Sequence, residues 1–168
     1  MANKTFFILG LGNQGNSYSK HWHNLGKMYA QYLQANISSY NAILAEKHIT
    51  LKPFTLDCYM NESGQFLAQY AKSKGIKPEN LILAFDDLDI NFPLAKISPK
   101  TPKVHNGVTS VKQYFGTPVW NVRLGANSSD KAQKNEAKSY LLSPIPENLS
   151  NELTALFKAA SDSLLTVL

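Results

Sequence analysis

The chain begins with a short apolar run that breaks into glycines and is followed by a helix-like segment. Residues Phe6–Leu9 are all apolar, and Gly10, Gly12 and Gly15 follow closely. Glycines at the end of a strand let the backbone turn sharply and approach a ligand, because they carry no Cβ. A helix is predicted next, over Asn24–Gln34, from its apolar spacing. The N-terminal part therefore predicts a buried strand, a tight turn and a helix.

The rest of the chain continues to alternate between strands and helices. Leu81–Phe85 is apolar throughout, as expected of a strand that is buried on both faces. Strands are predicted over Thr5–Leu11, Ile43–Leu51, Leu81–Phe85, Leu94–Ser98 and Val119–Leu124, and helices over Asn24–Gln34, Ser63–Lys74, Val108–Phe115 and Pro146–Leu168. This order predicts one α/β domain over residues 1–168, a three-layer α/β/α sandwich around a twisted mixed sheet, with ligands at the carboxyl ends of the strands.

The composition is that of an ordinary globular domain, with 43% hydrophobic and 17% charged residues. No apolar run approaches the roughly 20 residues that span a bilayer. The single cysteine, Cys58, forms no internal disulfide and fits a reducing compartment. We therefore predict a cytoplasmic protein with no membrane partner, and a mitochondrial or other organellar location is the alternative.

Positive charge is concentrated in one part of the chain. The formal net charge is +5, and residues 92–138 carry eight basic residues against two acidic ones. Within this segment, Lys131, Lys134 and Lys138 are spaced to share one helical face. Such a segment suits a nucleic-acid phosphate backbone, and the alternative is a solvated, lysine-rich surface.

Four polar clusters fall at or near the ends of predicted elements: His23–Asn24, Met60–Gly64, Asp86–Asp89 and His105–Gly107. A histidine at a helix start can change its charge near neutral pH, which suits it to acid–base chemistry. Taken singly, the clusters have other interpretations. An asparagine beside a glycine is commonly a turn residue, Asp86–Asp89 could be a strand-end turn or a metal-binding cluster, and His23 could cap a helix. Together they predict a hydrolase site built at one edge of the sheet.

In order and spacing, these clusters resemble the bacterial-type peptidyl-tRNA hydrolase family. The matching stretches are Gly10–Gly26, Tyr59–Gly64, Asp86–Asp89 and His105–Gly107, with a further match at Val122–Gly125. The family cleaves the ester that joins a peptide to the terminal ribose of tRNA. The resemblance implies an active, monomeric enzyme that acts on peptidyl-tRNA without a cofactor or metal, with the ribosome as a further candidate partner.

The resemblance also implies a role for individual residues. His23 is predicted to activate a water for attack on the ester carbonyl, and Asp86 is predicted to accept the other ring proton. The amides of Asn13, Asn61 and Asn106 are predicted to hold the peptide, the water and the developing oxyanion. Substrate binding is predicted for Tyr18, Met60, His105, Lys96, Lys100, Lys103 and Arg123.

The chain departs from the family pattern at three places. Gln14 replaces a proline, which predicts a looser turn, and Trp22 replaces a commonly basic residue. The family's glycine-rich loop before the His105 cluster is replaced by Ser98–Val104, which contains no glycine; one basic phosphate contact there reads Ser98, with Lys100 or Lys103 able to compensate. These departures leave an alternative open, a catalytically silent family member that serves as an RNA- or ribosome-binding scaffold.

Overall fold

The computed structural model describes residues 2–102, 104–128 and 136–168. Within these residues, five strands form one mixed sheet in the order β2-β1-β3-β5-β4. The strands are β1 (Lys4–Gly10), β2 (Ile49–Phe54), β3 (Leu81–Asn91), β4 (Ala95–Ser98) and β5 (Trp120–Asn127). The neighbouring strands β2, β1, β3 and β5 are parallel to one another, and β4 pairs antiparallel to β5 at the edge of the sheet.

Helices cover both faces of the sheet, which confirms the predicted α/β sandwich. They are α1 (Leu25–Leu44), α2 (Ser63–Ala71), α3 (Asn106–Tyr114), α4 (Ala137–Leu141) and α5 (Ser150–Val167). Successive strand residues point to opposite faces. Accordingly, Ile8 joins the apolar core beneath α1 and α5, whereas Leu9 joins the core beneath α2 and α3.

The predicted strands at the centre of the sheet are confirmed. In β3, Ile82 and Ala84 face one core while Leu83 and Phe85 face the other. Glycine is required where β1 ends, because a Cβ on Gly10 would collide with the backbone of α1. The strand β3 continues to Asn91, six residues beyond its predicted end, so the acidic cluster lies inside a strand rather than after one.

The predicted strand Ile43–Leu51 is wrong in its first half. Helix α1 runs ten residues past its predicted end at Gln34, and includes Ile43 and Leu44. The chain turns at His48, whose backbone is left-handed with φ 56°, and β2 begins one residue later. The helix continues because its apolar stripe continues against the core beneath α5, through Leu33, Ile37, Tyr40 and Leu44.

Other predicted boundaries shift by a few residues. Helix α2 ends at Ala71 rather than Lys74, and α3 begins two residues before Val108. Helix α5 begins at Ser150 rather than Pro146. The sequence did not predict α4, which is too short to show a periodic pattern. Strand β5 runs to Asn127, three residues past its predicted end at Leu124, and residues 129–135 lie outside the described part of the chain.

Side chains cover the outer edge of β2. The Asn41 amide accepts a hydrogen bond from the Leu51 N–H at 2.8 Å and donates one to the Leu51 carbonyl at 3.2 Å. Gln34 donates to the Pro53 carbonyl at 3.3 Å, and proline itself has no N–H to offer. This edge therefore presents few free backbone groups to another strand. No helix among the described residues is long and apolar enough to cross a bilayer.

Candidate active site

The site lies where β1 and β3 part. Strand β1 leads through α1 to β2 on one side, whereas β3 pairs with β5 on the other, so the strand order reverses between them. Their pairing ends at Gly10 and Ala84, and β3 continues alone on that side. Ligands in open α/β sheets bind at such a crevice, at the carboxyl ends of the strands. The chain after β1 carries Asn13 and His23 to this position, and β3 carries Asp86.

His23 and Asp86 form the hydrogen-bonded pair that the sequence predicts. His23 lies in a short 3-10 helix directly before α1, and its Nδ1 is 2.8 Å from Oδ2 of Asp86. An ionised carboxylate only accepts hydrogen bonds, so Nδ1 carries the proton and Nε2 is left with a free lone pair. The His23 side chain is 15% exposed and that of Asp86 is 2% exposed. The imidazole thus reaches the solvent while its partner does not.

His105 bonds to the other oxygen of the same carboxylate. Its Nε2 is 3.1 Å from Oδ1 of Asp86, and its Nδ1 accepts the Val108 N–H at 3.3 Å as the N-cap of α3. Because Nδ1 accepts, Nε2 carries the proton and donates it to Asp86. The sequence predicts a substrate contact for His105. Its side chain is buried against Asp86, with its ring centroid 5.1 Å from that of His23, and the substrate contact stays a prediction.

The two histidines decide the charge of the site. Burial favours the neutral form of Asp86, but the charges and hydrogen bonds of His23 and His105 hold its pKa well below the usual range. Burial also opposes a charge on His23, but the Asp86 carboxylate outweighs it and raises the pKa of His23. The pair therefore stabilises the imidazolium that forms when His23 takes a proton, as a base and its carboxylate do in hydrolase triads.

Asn13 is held in place by Asn24, which lies in a predicted polar cluster but has no predicted role of its own. The Asn13 N–H donates to Oδ1 of Asn24 at 2.9 Å, and Nδ2 of Asn24 donates to the Asn13 carbonyl at 3.0 Å. Oδ1 of Asn13 accepts the Met60 N–H at 2.7 Å, and its Nδ2 has no partner among the described residues. The buried Asn24 thus fixes the backbone of Asn13, and the Met60 N–H orients the Asn13 side-chain amide. The signal for it was present, since it directly follows the predicted catalytic histidine.

Gln14 stabilises the turn after β1 with a hydrogen bond, rather than loosening it as predicted. The Gln14 N–H donates to the Cys58 carbonyl at 2.9 Å, a bond that a proline at this position cannot make. Together with the bond from Met60 to Asn13, it joins the turn after β1 to the loop before α2 at two points. The buried Met60 side chain packs under α3, where a Cβ on Gly107 would lie 2.5 Å from its Sδ. The prediction of a substrate contact for Met60 thus falls on a side chain that fills the core.

Three other predicted residues are open to solvent. Asn61 lies in a 3-10 helix before α2, and Asn106 is the first residue of α3. Both are exposed, and their side-chain amides make no hydrogen bond with a described residue. Tyr18 is half-buried, with its ring edge-on to that of His21 at 5.6 Å. These side chains are free to meet a ligand, although the structure does not join them to the His23–Asp86 pair.

The predicted basic residues that the structure describes differ in their surroundings, since the lysines are exposed whereas Arg123 is paired with an acid. Lys96 and Lys100 are exposed, and Lys96 lies opposite Arg123 in the register of β4 and β5. The Arg123 Nε is 2.7 Å from Oδ2 of Asp87, a pairing that the sequence did not predict. Lys138 lies in α4. The predicted residues Lys103, Lys131 and Lys134 lie outside the described residues.

Trp22 anchors the turn that carries His23. Its buried indole stacks on Tyr140 with centroids 5.4 Å apart, and meets the edge of Phe92 at 5.2 Å. The backbone N–H of Trp22 donates to the Ser143 carbonyl at 3.2 Å. The aromatic residue in place of a commonly basic one therefore belongs to the core and fixes the backbone next to the histidine.

His23, Asp86 and His105 are also the one group among the described residues with the spacing of a metal site. Their ligand atoms lie within 4.8 Å of one another. Nδ1 of His23, Nε2 of His105 and both oxygens of Asp86 already take part in hydrogen bonds within the group, with the carboxylate accepting from both rings. The three side chains thus satisfy one another, and the absence of a required metal stays a prediction from the sequence.

A hydrogen-bonded histidine–aspartate pair at the switch point of an α/β sheet is an arrangement that suits general-base chemistry on a bound ligand. Comparison with known proteins is more specific. A family model described as peptidyl-tRNA hydrolase matches residues 7–168, and the chain belongs to this family. The family and the hydrolase class predicted from the sequence are thereby confirmed.

Individual relatives match over most of their length. The peptidyl-tRNA hydrolase of Enterococcus faecalis is 30% identical over 172 residues, which cover 94% of this chain and 89% of the relative. That of Coxiella burnetii is 32% identical over 161 residues, covering 88% of this chain and 82% of the relative. A crystal structure of peptidyl-tRNA hydrolase from Acinetobacter baumannii superposes with a TM-score of 0.71 at 22% identity, covering 99% of this chain and 87% of that one. The last comparison supports the fold.

Proposed function

We propose that this chain hydrolyses the ester bond of peptidyl-tRNA, with His23 as the general base and Asp86 as the residue that orients it. The observation that carries this proposal is the 2.8 Å hydrogen bond from Nδ1 of His23 to a buried carboxylate. It leaves Nε2 of a partly exposed imidazole free to take a proton from water. Membership of the peptidyl-tRNA hydrolase family supports the choice of substrate.

The reaction begins with a water bound near Nε2 of His23. As the water oxygen attacks the ester carbonyl carbon, His23 takes one of its protons, and the Asp86 carboxylate stabilises the resulting imidazolium. The tetrahedral intermediate carries a negative oxygen, which needs amide donors aimed at it. Asn13 is fixed on three sides and keeps Nδ2 available for this role. When the bond from carbon to the ribose oxygen breaks, His23 returns its proton to that oxygen.

Two exposed amides are proposed to hold the substrate beside this centre. Asn61 and Asn106 lie at the starts of elements that pack against each other through Met60 and Gly107. Their side chains have no partner among the described residues, so they can bind the peptide backbone or position the water. Tyr18, half-buried in the turn after β1, adds an apolar surface.

The tRNA backbone is proposed to lie over β4 and β5. Lys96 and Arg123 face each other across these strands, and Lys100 follows in the loop after β4. Positive side chains in such a row bind phosphates and release counterions, so binding weakens as salt is added. Lys103 remains a candidate from the sequence for the same role.

A scaffold without activity is the weaker interpretation. A protein that only binds RNA has no need for a buried carboxylate that accepts hydrogen bonds from two histidines.

We also propose a monomer, because Asn41, Gln34 and Pro53 cover the free edge of β2. A cytoplasmic location and an association with the ribosome remain predictions from the sequence.

Release of peptide from purified peptidyl-tRNA tests the proposal. We expect release by the natural chain and almost none by His23→Ala. His48→Asn is the matched control. His48 is exposed just before the start of β2, whereas the site lies at the carboxyl ends of the strands, and asparagine tolerates its left-handed backbone. We expect this control to retain full activity. Tight tRNA binding by the natural chain without any release would overturn the proposal in favour of the scaffold.

A further inference from the structure

Arg123 is held by a carboxylate that is itself fixed. The Asp87 side chain is 5% exposed, and its Oδ2 lies 2.7 Å from the Arg123 Nε. Its Oδ1 accepts the backbone N–H of Asp89 at 2.9 Å. A carboxylate bonded at both oxygens cannot rotate freely, so it fixes the direction of the Nε–H bond and with it the plane of the guanidinium.

The contact leaves the outer face of the arginine free. Arginine has five N–H groups in a rigid planar fork, and Asp87 uses the one on Nε. The two terminal nitrogens, which make bidentate contacts with phosphate, have no partner among the described residues. The Arg123 side chain is 22% exposed, which opens part of it to a ligand.

The surroundings favour an anion at this place. Lys96 is the cross-strand partner of Arg123, and directly opposed residues of an antiparallel pair share one face of the sheet. Lys96 is exposed. Two positive charges thus stand side by side, and among the described residues only Arg123 is paired with an acid.

We propose that Asp87 is a positioning residue, which orients the guanidinium of Arg123 so that its terminal nitrogens meet a nucleic-acid phosphate shared with Lys96. This inference rests on the proposed function, because it takes tRNA as the ligand. The inference predicts a change in tRNA affinity opposite to the one expected from net charge alone. Removing the Asp87 charge makes the surface more positive, and yet it should weaken tRNA binding.

The test compares two neighbouring carboxylates. Asp87→Asn and Asp89→Asn remove the same charge from the same strand, but Asp89 is exposed and offers only its backbone N–H to Asp87. We expect Asp87→Asn to weaken tRNA binding about three- to tenfold and to lower the salt slope by about one unit. Asp89→Asn should leave affinity unchanged or slightly higher. Tighter binding by both variants would mean that only net charge matters, and would overturn the inference.

A double-mutant cycle shows whether Asp87 acts through Arg123. In an Arg123→Ala background, Asp87→Asn should cause no further loss of tRNA binding. An equal loss in both backgrounds would assign Asp87 to general stability and overturn the inference. If Asp87→Asn fails to fold, Arg123→Lys tests the requirement for an oriented planar fork, since it keeps the charge but loses the fork, and it should bind nearly as weakly as Arg123→Ala. Binding by Arg123→Lys equal to that of the natural chain would be the contrary result.

Peptide release by the natural chain, measured on the same tRNA, separates the two proposals. If the natural chain binds tRNA but releases no peptide, the proposed hydrolase function fails while the binding cycle still judges Asp87. If release is normal and the cycle shows no coupling, the role of Asp87 fails alone.

Discussion

The histidine centre and the basic surface are built in opposite ways. At the centre, His23, Asp86 and His105 are joined by hydrogen bonds of 2.8 and 3.1 Å around a carboxylate without access to solvent. On the basic surface, Lys96 and Lys100 stand exposed, and Arg123 has one fixed contact. Bond breaking needs atoms fixed to within a fraction of an ångström, whereas a screened charge attracts a phosphate from several positions. Changes at the centre should therefore alter the rate, and changes on the surface should alter the affinity.

The largest effect is expected from His23→Ala. Loss of the general base should lower the rate of peptide release by about two to four decades. tRNA binding should persist, because Lys96 and Arg123 of the basic surface lie on β4 and β5, whereas His23 lies in the 3-10 helix before α1. Single-turnover release and a separate binding titration measure the two quantities. A parallel loss of binding and rate would mean that the centre and the surface are not distinct.

Asp86→Asn should lower the rate by about one to three decades, since a neutral amide neither fixes the histidine tautomer nor stabilises the imidazolium. The pH profile gives a second reading. In the natural chain Asp86 raises the pKa of His23, so the acidic limb of kcat/KM should lie above the ordinary histidine pKa near 6.5. In the variant the burial of His23 remains without the carboxylate charge, so the limb should move to lower pH. An unmoved limb would contradict the coupling.

His105→Asn should have a smaller effect and move the limb in the opposite direction. Asparagine can still cap α3, but its shorter side chain loses the hydrogen bond to Oδ1 of Asp86. The rate should fall about tenfold, the order expected for a lost hydrogen bond to a charged group. Without this donor the Asp86 charge acts more strongly on His23, so the pKa of His23 should rise and the acidic limb should move to higher pH. A shift to lower pH would show that His105 does not act through Asp86.

The smallest effect on rate is expected on the surface. Lys96→Ala should weaken tRNA binding a few-fold and lower the salt slope by about one unit, while release at saturating substrate stays unchanged. Lys52→Ala is the matched control, because Lys52 is exposed on β2 at the opposite edge of the sheet. Equal effects of the two variants on tRNA affinity would mean that Lys96 acts only through the net charge of the protein and not through a phosphate contact.

The same contrast explains what could be predicted from the sequence. The run Leu81–Phe85 and the glycines after β1 can form little else than a buried strand and a tight turn, so these elements were predicted. The end of α1 was not, because Asn36, Ser38 and Ser39 have weak helix propensity, and the buried apolar stripe outweighs them. Propensity is a local property, whereas burial depends on the partner that a residue meets.

The site divides along the same line. The predicted pairing of His23 with Asp86 agrees with the geometry, because the family resemblance assigns linked roles to these two residues. The links of His105 to Asp86, of Asn24 to Asn13 and of Arg123 to Asp87 could not be predicted, because the motifs assign these residues no partner within the chain. Such contacts depend on the register of strands and the direction of side chains, which short motifs do not contain.

Asp86 and Asp87 are consecutive residues of β3, and this adjacency works as a ruler. One carboxylate holds the proposed base and the next holds the arginine proposed to meet a phosphate. Their Cα atoms are separated by a single peptide unit, about 3.8 Å, which cannot stretch. Covalent geometry thus fixes the separation of the two backbone positions that support the proposed base and the proposed phosphate contact. A shift in the register of β3 would therefore displace both carboxylates together.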